Sequence, residues 1–276
     1  MTRNRANILP KAIESVLAQS AQNVRIRIFD DASTDSTSGL VQSFATIDWQ
    51  RLPDMRGYMY GRNQLMGDTA ADYFVSLDDD AWFLDGDEIA VATDFLENNP
   101  KAGAVAFDIV SPDRPRRNPR RSPRPVAMFI GCGHMLRLSA VRAVGMYEST
   151  PGSYGGEEKD LCLRLLDAGY ETVLLPGVHV WHDKSAIARD GAEQHTSGVC
   201  NDLVMAFRRT PGILLPFAML AKFYRHIIFS SRHGFTRPCL RGFLLFVRSL
   251  PALVSTRRPV RAATLRSFLR LAKARQ

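Results

Sequence analysis

Apolar residues along this chain recur in two periods, and the switches between them outline alternating helices and strands. Leu9, Ile13, Val16 and Leu17 fall at helical spacing, which predicts a helix over about 8–20. Val24, Ile26 and Ile28 alternate with Arg25 and Arg27, and Phe29 then leads into Asp30-Asp31-Ala32-Ser33-Thr34-Asp35, a strand closed by an acid-rich turn. Arg62-Asn63 opens a short helix. The run Tyr73-Phe74-Val75-Ser76-Leu77 is rich in aromatic and β-branched residues and reads as a buried strand entering Asp78-Asp79-Asp80. A helix over Asp85 to Asn99, stopped by Pro100, and a strand over Ala104 to Ile109 follow. Leu161, Leu165 and Leu166 mark a helix ending at Gly169, and Val173 to Trp181 is a strand with Val178, Val180 and His182 on one face.

Two strands thus end in carboxylates with helical stretches between them, which points to a parallel sheet of the nucleotide-binding type. Carboxylates crowded at a strand end repel one another unless a positive charge lies between them, and a hard cation such as Mg²⁺ or Mn²⁺ serves that purpose. The same acids also read as a solvated loop after a strand.

Beyond Asn201-Asp202 the pattern turns helical and amphipathic, and Pro211, Pro216, Pro238, Pro251 and Pro259 predict a series of short helices. Arg266, Arg270 and Lys273 share one face there, opposite Leu265, Phe268, Leu269 and Ala272. Charge divides at the same place. Residues 203–276 hold 15 of the 36 Lys and Arg and none of the 28 acids, leaving 21 basic against 28 acidic residues, a net of −7, in residues 1–202. An acidic body (1–202) and a basic amphipathic tail (203–276) are the expected division. An apolar and basic tail suits an anionic membrane surface better than DNA. Cys132, Cys162, Cys200 and Cys239 lie far apart and read as reduced thiols, and no continuous apolar run reaches the length of a spanning helix. With no signal-peptide core at the start, these features place the expected location on the cytoplasmic side.

Three further stretches carry candidate chemistry. Residues 112–125 hold six arginines (Arg114, Arg116, Arg117, Arg120, Arg121, Arg124) among prolines, either a solvated loop or a basic lid over a phosphate-bearing ligand. Gly131-Cys132-Gly133-His134 reads as a tight bend near the site. Gly155-Gly156-Glu157-Glu158-Lys159-Asp160 crowds acids into the first turn of a helix, where the helix dipole alone would favour them.

Taken together, TRNR at Thr2, FDDASTD at Phe29, GRNQ at Gly61, LDDD at Leu77 and GGEEKDLCLRL at Gly155 stand in the order found in one family. From Thr2 to about His182 the sequence resembles the family-two glycosyltransferases of the GT-A fold, particularly bacterial rhamnosyltransferase-like members that build surface polysaccharides. The resemblance implies an α/β fold, a mixed nucleotide-sugar-binding sheet flanked by helices, with the amphipathic C-terminal helices added. It implies that Asp30 and Asp31 contact base and ribose, with Arg62 or Asn63 nearby and Asp79 among the donor-contacting acids. Asp78 and Asp80 match the DxD pattern, and Asp80 would hold Mn²⁺ or Mg²⁺. His182 reads either as a further metal ligand or as a structural imidazole. Glu158 matches the catalytic base, supported by Glu157; the family usually has Asp there, one methylene shorter. The family's first strand would lie before Thr2, so the reading expects either a true start further upstream, which the intact downstream motifs favour, or a truncated copy whose sheet has a gap.

The resulting expectation is an inverting, metal-dependent glycosyltransferase. It would use a nucleotide diphosphate sugar and a lipid-linked or cell-surface polysaccharide acceptor, in peripheral contact with the inner face of an anionic membrane. A non-catalytic GT-A-like nucleotide-binding or scaffold protein is the alternative. A nucleic-acid-binding protein is a third reading, for which the tail offers no recognition motif.

Overall fold

A computed structural model describes residues 1–116, 122–183 and 190–274. Thr2 pairs in parallel with Asp30, its N–H donating to Phe29 O (2.9 Å) while its carbonyl accepts from Asp31 N–H (2.9 Å). Helix α1 (Leu9–Leu17) buries Leu9, Ala12 and Ile13, one side of the periodic face. Strand β1 (Arg27–Asp30) pairs in parallel with β2 (Asp48–Arg51) to form a two-stranded sheet. Between them a 3-10 helix over Ser36–Gln42 is capped by Asp35, which accepts from Thr37 N–H.

Helix α2 (Tyr58–Gly67) leads to β3 (Tyr73–Leu77), and after the three acids the chain turns back as β4 (Ala81–Phe83). Helix α3 (Glu88–Asn98) begins three residues later than the periodicity predicts, because Glu88 Oε1 accepts from Leu84 N–H (2.8 Å) and Asp85 N–H (2.6 Å) and holds those residues outside it. Next come β5 (Ala102–Val110), the two-residue β6 (Arg124–Pro125), β7 (Gly133–Arg137), α4 (Leu138–Ala143), α5 (Glu157–Asp167) and β8 (Glu171–His182).

The main sheet runs β3-β7-β5-β8-β4, with β6 also on β8. The parallel sheet expected from the strand ends is corrected here. Within the main sheet only β5 and β8 are parallel, and the other pairs are antiparallel. Strand β4 does not pair with β3: the acid turn carries the chain to the other end of the strand order, where β4 lies antiparallel to β8. All nine residues of β5 are buried, which requires cover on both faces. Ala104 and Ala106 face a core with Leu161 and Leu165 of α5, while Val105, Phe107 and Ile109 face one with Ile89, Ala92 and Leu96 of α3.

The C-terminal helices are long: α6 (Gly191–Arg209), α7 (Leu215–His233), α8 (Thr236–Ser255) and α9 (Ala262–Lys273). The prediction of short proline-divided helices is therefore corrected. Pro216 and Pro238 sit in first turns, where a missing N–H costs nothing, and Pro251 lies inside α8. Helix α6 runs through position 202 and is tied to α5 by Arg209, whose Nε donates to Asp160 Oδ1 (2.6 Å). Burial pushes Asp160 up, but Arg209 and Arg164 outweigh it and hold its carboxyl below the usual range.

The amphipathic face of α9, read from sequence as a membrane face, is instead spent on the body. Phe268 is buried in the core of α5, Leu265 and Ala272 pack against that core, and Thr264 Oγ1 donates to Asp167 Oδ1 (2.6 Å). Exposed apolar surface lies elsewhere. On α7 and the turn before it, Ile213, Phe217, Leu220, Tyr224 and Ile227 form a stripe, 83, 73, 71, 67 and 52% exposed. The segments Gly212–His233 and Thr236–Ser255 each have a mean hydropathy of 1.3 and are long and apolar enough to cross a membrane. The search for an unbroken apolar run missed them because Lys222 and Arg225 interrupt the first.

Candidate active site

The turn after β3 separates its three carboxylates. Asp78 stays near β7, its N–H donating to Cys132 O (3.2 Å), and its side chain accepts from Arg62 (2.7 Å). Asp79 turns to Arg5, whose Nε donates to Asp79 Oδ1 (3.3 Å), and burial raises the Asp79 carboxyl above its ordinary value. Asp80 opens β4. Because Ala81 registers with His182 in the β4–β8 ladder, Asp80 Oδ1 and His182 Nε2 lie 3.3 Å apart. The protein thus supplies a separate cationic or imidazole partner to each acid.

Arg62 is the hub of the site. It is buried at 5% exposure, midway along α2. Its guanidinium donates to Asp78 and to Gly131 O (3.1 Å) and lies over the rings of Tyr58 (5.2 Å) and Tyr147 (6.0 Å). Burial alone would lower its pKa, yet Asp78 and the neighbouring acids raise it above the ordinary value. Asn63 has a different task. Its amide donates to Tyr147 O (2.8 Å) and accepts from Tyr147 N–H (3.1 Å), latching α2 to the segment ahead of α5.

Glu157 and Glu158 begin α5, which Gly156 enters with φ +97°, a conformation that favours glycine. Burial pushes the Glu158 carboxyl up to about 8; Glu157 adds to the rise and Arg62 opposes it. Glu157 is buried near the Tyr58 hydroxyl, whose pKa burial and the Glu157 charge raise, and that hydroxyl accepts from Gly155 N–H (3.1 Å). The side chain of Glu158 passes so close to Gly131 that a Cβ there would collide with its Oε1. The bend expected at Gly131-Cys132 therefore gives the Glu158 side chain its room. His134 lies within β7 instead; its Nε2 lies 3.0 Å from the Tyr147 hydroxyl, and burial keeps it well below its ordinary pKa.

The remaining loops are stitched together beside these groups. Asp31 accepts from Arg56 N–H (2.6 Å) and Gly57 N–H (2.9 Å), the entry to α2. Asp30 is fully buried and accepts from Ser33 N–H (2.9 Å), with Arg51 Nε 3.8 Å from its other oxygen. Asn4 Oδ1 accepts from Thr34 N–H (2.8 Å), and Arg5 N–H donates to Thr37 Oγ1 (2.8 Å). Asp78 and Arg62 therefore form one bonded unit, with Glu158 lying against the Gly131 loop that Arg62 holds, and Asp80 with His182 a second, while Asp30 and Asp31 brace the loops feeding α2.

Of the proline-rich arginines, Arg116 pairs with Asp85 (2.9 Å), which also takes His179 (3.0 Å); Arg117, Arg120 and Arg121 lie outside the described residues. Sequence reasoning missed Arg5, Tyr58, Tyr147 and Asn201. Asn201 clamps the glycine turn before α5, accepting from Gly152 N–H (2.9 Å) and donating to Gly155 O (2.8 Å). Tyr58 alone carried a signal, standing four residues before Arg62 on the same helix face.

Asp80 and His182 fit a divalent cation that completes its shell with other oxygens, since Mg²⁺ and its relatives take one or two protein ligands plus substrate phosphates. Among the described residues no group of three or more His, Cys, Asp or Glu is placed to hold a metal ion.

A sequence profile described as Glycosyl transferase family 2 matches residues 1–146. A glucosyl-dolichyl phosphate glucuronosyltransferase of Haloferax volcanii is 27% identical over 190 residues, 59% of this chain and 60% of the relative. The chain thus spans three fifths of that protein's length. Among solved structures, S. aureus TarS 1-349 in complex with UDP-GlcNAc superposes with a TM-score of 0.66 at 13% identity, covering 93% of this chain and 80% of TarS 1-349. The mannosyltransferase PcManGT of Pyrobaculum calidifontis, in complex with GDP-Man and Mn²⁺, gives 0.59 at 15% identity, covering 99% of this chain and 84% of that one.

Proposed function

Since this chain belongs to glycosyl transferase family 2 and has the GT-A fold, we propose that it is an inverting, metal-dependent enzyme. It moves a hexosyl or rhamnosyl group from a nucleotide diphosphate sugar to a lipid-linked or cell-surface polysaccharide acceptor. The observation that carries the reading is the shared loop at Gly131: Arg62 pairs with Asp78 and donates to Gly131 O, and the Glu158 side chain, its carboxyl pushed up to about 8 by burial, lies against the same glycine. A carboxyl tuned into that range is suited to take a proton at neutral pH.

In the proposed reaction Glu158 accepts the proton of an acceptor hydroxyl while that oxygen forms a bond to the anomeric carbon. The bond from that carbon to the diphosphate oxygen breaks on the opposite side, its electron pair leaving with the nucleoside diphosphate, and the configuration inverts. Arg62 steadies the ionised form of Glu158 before the proton moves. Tyr58 fixes the glycine turn before α5 by accepting from Gly155 N–H, Glu157 supports Glu158 through its charge, and Asp31 fixes the entry of α2. A divalent cation held by Asp80, with His182 and Asp78 as the other candidates, supplies charge neutralisation to the leaving diphosphate. Asp30, Asp31, Asp79 and Asn63 complete the proposed donor side.

The dolichyl phosphate in the Haloferax relative's name supports a lipid-linked acceptor. The exposed stripe on α7 in a tail without acids supports peripheral contact with the inner face of an anionic membrane. Helices α7 and α8 lie on the surface in this reading, since α8 buries Cys239, Gly242, Phe246 and Leu253 within the protein.

The test is a panel of nucleotide sugars with Mn²⁺ or Mg²⁺, following release of nucleoside diphosphate, beside Asp80→Ala and Glu158→Ala. Turnover of one donor, lost in both variants, supports the reading. Nucleotide binding without turnover on any donor or acceptor moves it to a non-catalytic nucleotide-binding protein.

A further inference from the structure

Where α5, α6 and α7 meet, four basic side chains crowd around one carboxylate. Asp202 of α6 takes Lys222 Nζ (2.5 Å), His226 Nε2 (3.1 Å), Lys159 Nζ (3.2 Å) and Arg225 (3.4 Å). Among the described residues it is the one carboxylate paired with any of the four. Two lysines and an arginine against a single acid leave an excess of two positive charges, and His226 adds a third when protonated. Such an excess, partly withdrawn from water, is costly unless an anion completes it.

The arrangement follows from helical spacing. Positions 222, 225 and 226 share one face of α7, while the exposed stripe at 213, 217, 220, 224 and 227 takes the opposite one. Helix α7 therefore turns Lys222 and His226 toward α6, with Arg225 at the exposed rim, and the apolar stripe outward. Beside the node, Gln194, His195, Val199, Arg225, His226 and Phe229 line a groove of about 410 Å³ between α6 and α7.

We propose that this node is a phosphate subsite of the acceptor, binding the phosphate that carries the acceptor sugar while the sugar reaches Glu158. The inference rests on Glu158 as the base of the proposed transfer. Lys159 follows Glu158 directly in the first turn of α5, so the two side chains leave Cα atoms about 3.8 Å apart and diverge by about 100° around the helix. One runs toward Asp202 and the other toward Gly131, a span for the sugar of a sugar phosphate to cross. Burial, Lys159 and Arg225 together depress Lys222 to about 8 despite Asp202, the mark of a node short of negative charge. A bound phosphate restores the balance and draws in a proton where Lys222 has lost one.

Phosphate binding to the full chain tests the inference directly, by calorimetry with inorganic phosphate and pyrophosphate, comparing wild type with Lys222→Gln/Arg225→Gln and with Asp202→Asn. The double variant is expected to weaken binding at least tenfold, and Asp202→Asn, which removes the competing carboxylate, to tighten it. A merely structural cluster predicts no tightening. Flotation with neutral vesicles carrying a few per cent polyisoprenyl phosphate, beside vesicles of equal charge made with phosphatidylglycerol, separates a lipid-linked phosphate from a general anion. Selective loss of the first in the double variant assigns the lipid source; phosphate binding without vesicle selectivity assigns a soluble or polymeric phosphate. Wild-type phosphate binding that is absent, or unchanged in both variants, overturns the proposal. Donor turnover with unchanged phosphate binding sinks the subsite alone, whereas phosphate binding without turnover of any donor sinks the transferase reading alone.

Discussion

Arg62 donates to Asp78 at 2.7 Å and to the carbonyl of Gly131 at 3.1 Å, so one guanidinium spans the acid turn after β3 and the loop that shelters Glu158. Lysine cannot reproduce this, since it offers a single point of charge in place of a planar fork. Arg62→Lys is expected to lose at least 10-fold in turnover while keeping the fold. Arg62→Gln is expected to lose 100-fold or more, and to destabilise by about 2 kcal/mol because Asp78 is only partly exposed to water. Initial rates and thermal melts of both variants check this; wild-type turnover in Arg62→Gln would remove Arg62 from the site.

The Glu158 carboxyl near 8 sets the pH dependence. As a base it works only when ionised, so kcat/KM is expected to rise about tenfold per pH unit below 8 and to level above it. Glu157→Gln removes a charge that raises this value and should move the inflection down, while Arg62→Gln should move it up. Stability runs the other way. Between the ordinary glutamate value and 8 the unfolded chain releases a proton that the folded chain keeps, so the fold loses stability as pH rises through that window. Glu158→Gln is expected to be inactive, to match wild type in stability near pH 4.5, and to exceed it at pH 8 by a few kcal/mol in urea titrations.

Gly131 provides a sharper test of geometry, because its backbone has no left-handed φ to strain and only the Cβ matters. Gly131→Ala is expected to displace Glu158, costing 10- to 100-fold in kcat with little change in donor KM, since misplacement of a reacting group is penalised steeply. Equal activity in the alanine variant would put the Glu158 side chain elsewhere during turnover.

Much of this site was legible in the sequence as separate motifs, and what was lost was their connection. Acids at the ends of β1 and β3 follow from hydrophobic patterning alone. The approach of His182 to Asp80 does not, because it depends on the β4–β8 register, and β4 has only three residues. Strand β2, Asp48–Arg51, is polar and half exposed and carries no alternation to find. Helix α9 shows how an amphipathic pattern reveals an apolar face without saying what covers it: Phe268 is buried in the body. The stripe on α7 escaped notice for the opposite reason. Leu214, Met219, Phe223 and Ile228 flank it with more apolar residues, so the apolar arc is much wider than the exposed stripe and leaves only the Lys222, Arg225 and His226 face polar.

Removal of the proposed cation ligands should show in binding before it shows in rate. With Mn²⁺ present, Asp80→Asn is expected to weaken nucleoside diphosphate affinity at least tenfold and His182→Ala by a smaller factor, while in chelator the variants and wild type converge. Calorimetry with the preferred nucleotide measures all of these. Nucleotide affinity that chelator leaves unchanged in wild type would exclude a cation bridging Asp80 to the diphosphate.

The stripe Ile213, Phe217, Leu220, Tyr224 and Ile227 stands exposed on α7 and the turn before it, and two occupants compete for it. A second copy would bring two tails against each other, each rich in arginine and without a single acid, and like charges would meet across the interface. An anionic bilayer meets the same stripe with opposite charge and accepts apolar side chains without needing shape complementarity. Phe217→Ser/Leu220→Ser is therefore expected to lower partitioning into phosphatidylglycerol vesicles about 100-fold, as each side chain forfeits roughly 1.5 kcal/mol of burial. The melting temperature in solution should hardly move, because both side chains already face water. Partitioning should also fall with added salt, since the arginines act through screened charge. If sedimentation instead shows a dimer that the double substitution dissolves, while vesicle binding stays as in wild type, the stripe belongs to self-association.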